Sequence, residues 1–303
     1  MNDATPVPHD AIVVGLDGSQ PAATALDWAA EQAALEGRPL VLVHAAPPLG
    51  AGAAASLGSL GVDTVRLREE VLNDAHGLLD RAAERVAAAH DGLVTHRLAL
   101  VADPRQTLLE LAAPDRLLVV GSRGMGPVRS LLLGSVSLAL TKHAPGPVVV
   151  VRPTEGPRSP GGVLVAVALD GTDAPVLDLA FRFAASRGLP LTALHCFWDM
   201  NEISRGAVDV PDDEPGLEEL RDRLAAALAD HRAAYPSVPV HPQLTRGFVD
   251  ARVLDATRRA DLVVLGHQPK PRLGELVYGS VAPQVVEAGQ CSVAVVGRAE
   301  AAG

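Results

Sequence analysis

Two kinds of segment alternate along this chain. Short apolar runs, rich in Val, Leu and Ile and almost free of polar residues, are separated by longer Ala/Leu/Arg stretches. The first run is Ile12-Val13-Val14-Gly15-Leu16, and it ends in Asp17-Gly18-Ser19. Apolar runs this short and this continuous predict strands covered on both faces. In the first half they fall at 11–17, 39–45, 93–100, 116–121 and 147–152, with helices at 20–36, 62–90, 104–113 and 135–143. In the second half strands fall at 163–169, 190–197, 238–244, 261–266 and 292–297, with helices at 174–187, 216–234, 249–259 and 280–288. Strand–helix alternation predicts an α/β fold with parallel, doubly wound sheets. Pro47 to Gly61 is small, Gly-rich and aperiodic; it is expected to be a loop, either mobile over a site or an idle insertion.

The order of elements occurs twice. Val163 to Leu169, ending in Asp170-Gly171-Thr172, repeats the opening strand and its Asp17-Gly18-Ser19. The next run ends in His44 in one half and His195 in the other. Leu117 to Gly121 returns as Leu262 to Gly266, Gly134-Ser135-Val136 as Gly279-Ser280-Val281, and Pro147 to Val151 as Ser292 to Val296. A duplicated domain follows: 1–153, a polar Gly/Pro-rich linker at 154–162, and 163–303.

Composition narrows the possible functions. The 303 residues carry a formal net charge of −10, which removes any general attraction to nucleic acid. Aromatics are 3% and apolar residues 48%, so the core is built of Ala, Val and Leu. The two cysteines, Cys196 and Cys291, form no CxxC and fit a reducing compartment. Met1 to Asp10 has no basic-then-apolar signal pattern, and no apolar run is long enough to span a bilayer. A cytoplasmic protein without membrane contact is expected.

The local chemistry centres on Gly121-Ser122-Arg123-Gly124, nine residues, then Gly134-Ser135. It starts where a buried strand ends and finishes where a helix begins. Glycines let backbone N–H groups face a phosphate, and a helix start adds unpaired amides and a positive dipole end. A helix cap at Gly134-Ser135 is the plainer alternative. The second half has Gly266-His267-Gln268-Pro269, nine residues, then Gly279-Ser280. Proline at 269 and 271 removes donors and freedom from the loop. His267 and Lys270 could supply charge instead. His44 and His195 are expected to pack or bond backbone, and Arg123 and Arg129 to be solvated.

No Gly-x4-Gly-Lys-Ser/Thr, Gly-x-Gly-x-x-Gly after a strand, or Gly-x-Ser-x-Gly is present, so P-loop, dinucleotide-fold and hydrolase-elbow chemistry have no sequence support. No base stands ready to activate water, and no catalytic residue is assigned.

Gly-x2-Gly-x9-Gly-Ser after a buried strand, with Asp17-Gly18-Ser19, Asp103-Pro104 and the Val-rich closing strand, resembles the universal stress protein family in its tandem form, from about Ala11 to Gly297. The resemblance implies five-stranded sheets of order 3-2-1-4-5. It implies ATP as ligand, with or without Mg2+, held by Asp17, Gly18, Ser19, Val43, Gly121, Ser122, Gly124, Gly134, Ser135 and Val136. Asp17 would meet the ribose or base edge and backbone near Val43 would frame adenine. Asp170, Gly266, Gly279, Ser280 and Val281 would form a degenerate second site. It implies a regulatory role in stress response or growth control. A slow ATPase or phosphoryl/adenylyl transferase, and a nucleotide-stabilised interaction module, stay open as alternatives. So does the choice among ATP, ADP and AMP. Pairing of the two halves through the closing strands, and a homodimer, are the expected assemblies.

Overall fold

The computed structural model describes residues 7–122, 133–153, 161–199, 208, 210–266 and 281–297. Gly124, Pro269, Gly279, Ser280, Arg123, Arg129, His267, Lys270 and most of the expected linker lie outside them. The chain divides into two compact units, Met1–Val151 and Arg152–Gly303.

Unit 1 runs β1 (Ile12–Gly15), α1 (Gln20–Glu36), β2 (Leu40–Ala46), α2 (Ala51–Ser59), α3 (Thr64–Ala89), β3 (Thr95–Val101), α4 (Pro104–Leu111), β4 (Leu117–Gly121), α5 (Ser135–His143) and β5 (Pro147–Val151). Its strands are parallel and lie in the order β3-β2-β1-β4-β5. Ile12 to Val14, Leu40 to Val43 and Leu117 to Val120 are all buried, as continuous apolar strands require. Each such side chain contributes about 1.5–3 kcal/mol over its exposed state. Helices α1 and α3 contact each other, and α4 and α5 form the second helix pair.

Unit 2 repeats the plan. It runs β6 (Val163–Ala166), α6 (Ala174–Arg187), β7 (Leu191–Phe197), α7 (Glu218–Ala234), β8 (Val240–Arg246), α8 (Val249–Ala256), β9 (Leu262–Gly266), α9 (Val281–Ala288) and β10 (Ser292–Val296). The order is β8-β7-β6-β9-β10, again parallel. Order 3-2-1-4-5 therefore holds in both units.

The sequence pattern locates the elements closely because capping residues flank them. Ser19, Asp63 and Asp103 cap α1, α3 and α4, each accepting a backbone N–H, and Gly37 and Gly188 close α1 and α6 in the left-handed conformation. One expectation changes: Pro47 to Gly61 is not loop throughout, since Ala51–Ser59 is helical. Its run of alanines has high helix propensity, which the lack of amphipathic period hid. That helix buries no residue.

Arg38 holds the amino-terminal side of the unit 1 sheet. Its guanidinium donates to the carbonyls of Asp10 (2.5 Å) and Asp115 (2.8 Å) and pairs with Glu36 at 2.9 Å. The opposite, carboxyl edge carries the candidate site.

Candidate functional site

β1 lies between β2 and β4, and the chain leaves the two neighbours β1 and β4 by diverging connections. A crevice at such a switch point is where open α/β sheets receive ligands. Local bonds place the residues there. The Leu16 amide donates to the Val43 carbonyl at 2.8 Å, and His44 Nδ1–H donates to the Leu16 carbonyl at 2.6 Å. The histidine thus bonds backbone, one residue before Asp17. Asp17 Oδ1 accepts the Ser19 amide at 3.0 Å, Gly18 turns at φ +83°, and Ser19 Oγ accepts the Ala22 amide at 3.3 Å. Asp17 is half-buried, just past the carboxyl end of β1.

The start of α1 packs directly on the end of β4. A Cβ placed on Gly121 would stand 2.7 Å from the carbonyl carbon and oxygen of Pro21. Only glycine permits that approach. The turn Asp17-Gly18-Ser19 leads directly into this contact with Gly121.

The two described ends of the glycine-rich segment are bonded to one another. The Gly134 amide donates to the Ser122 carbonyl at 2.9 Å, and Ser137 Oγ donates to the Gly121 carbonyl at 2.8 Å. Gly134, the N-cap of α5, offers no side-chain acceptor, and the first turn holds no acidic residue, whereas Lys142 and His143 occupy the last. The amino end of α5, with Ser135 and Val136, keeps its positive dipole without an internal carboxylate to offset it. The arrangement is suited to an anion held beside Asp17. Ser137 was not singled out from sequence; its signal is a Ser three positions after Gly134, where an α-helix turns back towards the strand it follows.

In unit 2 the same strand edge is built differently. The Val167 amide donates to the Leu194 carbonyl at 2.9 Å, and His195 Nδ1–H donates to the Val167 carbonyl at 2.8 Å. Burial lowers the His195 pKa, against the opposing bond to Val167, and favours the neutral ring. Val167 thus corresponds to Leu16, and Ala168 takes the place of Asp17. Leu169, at φ +57°, takes that of Gly18, and among the described residues it is the only non-glycine with positive φ. Asp170 falls further along. Its Oδ1 accepts the Thr172 amide at 3.0 Å, repeating the Asp17–Ser19 turn two residues late. The match of Asp-Gly-Thr to Asp-Gly-Ser is one of letters and local turn, not of position. Gly266 still ends β9, where among the described residues a Cβ would meet only the Val176 side chain at 3.2 Å, and Val281 begins α9.

Among the described residues no group of three or more His, Cys, Asp or Glu side chains could hold a metal, and no helix is long and apolar enough to cross a membrane.

The sequence profile of the Universal stress protein family matches residues 9–152 and again 162–297. The chain belongs to the universal stress protein family. Universal stress proteins of Mycolicibacterium smegmatis and Mycobacterium tuberculosis are each 31% identical to it, over 296 and 302 residues. The alignments cover 94% of this chain and 96% and 94% of those proteins, so the tandem form is shared. The crystal structure of a universal stress protein from Archaeoglobus fulgidus has the same fold, with a TM-score of 0.66 at 17% identity, covering 96% of this chain and 97% of that one. Universal stress proteins are in general not enzymes. In this universal stress protein the described part of the site offers binding groups: a carboxylate, serine hydroxyls and the amide-bearing start of α5.

Proposed function

We propose that this universal stress protein binds ATP at the crevice of unit 1 and acts as a regulatory binding protein in stress response or growth control. One observation carries it: Gly121-Ser122 and Gly134-Ser135, eleven residues of chain apart, meet at the end of β4 through the Gly134–Ser122 and Ser137–Gly121 bonds, beside Asp17. The helix dipole and the glycine backbone suit phosphates, and the carboxylate suits a ribose hydroxyl or the base edge. Backbone groups of Val43 frame the base, and Gly18, Ser19, Gly124 and Val136 complete the cradle. Unit 2, with proline at 269 and 271, is the weaker half. Mg2+ accompanies the phosphates if the complex tightens on its addition. The protein works in the cytoplasm. Its Val-rich end strands β5 and β10 carry the pairing of the two halves and of two chains, since an apolar edge strand is a liability unless it is covered.

The test is nucleotide stoichiometry. The purified protein is denatured to identify released nucleotide, and ATP is then titrated into wild type and Gly124→Pro. One equivalent per chain in wild type, lost in the variant, is expected. No binding in wild type removes the proposal. Multiple turnover of ATP at a substantial rate would replace the regulatory role with an enzymatic one.

A further inference from the structure

The carboxylate of Asp173 does not serve the helix it precedes. As N-cap of α6 it would ordinarily accept amides of the first helical turn, yet it makes no such bond. It turns back to the strand instead. Oδ1 accepts the Ala168 amide at 2.7 Å and Oδ2 accepts the Leu169 amide at 2.8 Å. These are the positions that Asp17 and Gly18 hold in unit 1, as the paired Leu16–Val43 and Val167–Leu194 bonds establish. Two successive amides, the second from a residue at φ +57°, form a concavity of the kind that holds anions. Asp173 is only 9% exposed, so it closes that concavity from within. Arg223 of α7 donates to the Leu169 carbonyl at 2.9 Å and ties down the turn.

Unit 1 has no counterpart. There Ser19 directly follows Gly18, and its hydroxyl caps α1. Unit 2 instead places the three residues Asp170, Gly171 and Thr172 between Leu169 and the cap, which gives Asp173 the slack to fold back.

We propose that Asp173 is the residue that closes the crevice of unit 2 to nucleotide: its carboxylate occupies the Ala168 and Leu169 amides, at the place that unit 1 gives to the ribose or base edge, while Ala168 supplies no carboxylate for either. The closure is independent of the prolines at 269 and 271. It makes the two units unequal, since in unit 2 a side chain of the same unit already holds these amides. In what it says of nucleotide the inference rests on the proposed function; in what it says of Asp173 it does not.

The experiment is amide-resolved hydrogen exchange and NMR on the full chain. In wild type without ligand, the Ala168 and Leu169 amides exchange at least tenfold more slowly than the amide of exposed Gly171. In Asp173→Ser that protection is lost. On addition of ATP to wild type, the amides of Asp17, Gly18 and Ser135 shift, and those of Ala168 and Leu169 stay in place. Unprotected Ala168 and Leu169 amides in wild type would overturn the inference, and so would an ATP-dependent shift there comparable with that at Asp17. If ATP shifts no amide in either unit, the proposed function falls, and the exchange rates of wild type still decide the role of Asp173. If Asp173→Ser does not fold, the two wild-type readouts decide it.

Discussion

The buried hydroxyl of Ser137 donates to the carbonyl oxygen of Gly121 across 2.8 Å. This bond joins the first turn of α5 to the last residue of β4. Ser137→Ala leaves that carbonyl without its hydroxyl partner and is expected to lower stability by about 1 kcal/mol. It also loosens the seat of α5, so ATP affinity falls with it. Urea unfolding and ATP titration of the variant check both effects; an affinity unchanged from wild type would separate the bond from the site.

Gly121→Ala puts a methyl group 2.7 Å from the Pro21 carbonyl. The neighbour is backbone in a capped helix and cannot rotate away. A loss of about 1–3 kcal/mol is expected, the usual cost of overpacking. The same change at Gly266 meets a valine side chain at 3.2 Å and is expected to cost less. Thermal unfolding of the two variants ranks them.

Leu169 holds a conformation that L-residues adopt at a penalty, φ +57°. Replacement by Ala removes the side chain and keeps the penalty; replacement by Gly removes both. Leu169→Gly is therefore expected to be about 1 kcal/mol more stable than Leu169→Ala, the reverse of their usual order. Denaturant midpoints of the pair measure it.

Asp103 accepts the amides of Arg105 (2.9 Å) and Gln106 (3.1 Å) at the start of α4. The Gln106 amide, then the Arg105 side chain, hold its carboxyl below the ordinary value. A carboxyl depressed in the folded state stabilises above its unfolded pKa of about 3.9 and loses that contribution as pH falls through the folded value. The stability gap between wild type and Asp103→Ala is therefore expected to be flat above about pH 5 and to shrink below about pH 4. Unfolding midpoints across pH 2.5–7 would show it.

Burial pushes the Cys196 thiol up to about 12, against the pull of Arg252. The thiolate is the reactive form. At pH 8 alkylation of Cys196 by iodoacetamide is expected to be about a thousandfold slower in the folded protein than after unfolding. Mass spectrometry of the labelled peptide gives the ratio, and rapid labelling of the native protein would contradict the burial.

How much of this was legible beforehand can be judged from particular elements. Strands such as Leu117 to Gly121 stand out because burial on both faces leaves no room for a polar residue. Helix limits at Ser19, Asp103 and Gly188 were legible because capping is a local reaction between a side chain and the nearest amides. The helix at Ala51–Ser59 was not, because it buries nothing and so shows no period.

The sequence alone determined the duplication, the α/β alternation, the family resemblance and the glycine-rich segment after β4, all of which depend on neighbours along the chain. Tertiary structure decided which residues share a place. Asp170 reads as the partner of Asp17, yet the bonds of Leu16 to Val43 and of Val167 to Leu194 assign that place to Ala168. Three residues in a turn shift no strand and leave the letters Asp-Gly-Thr intact. They let a carboxylate turn back onto the Ala168 and Leu169 amides, and only a hydrogen-bond register measured across strands can show that.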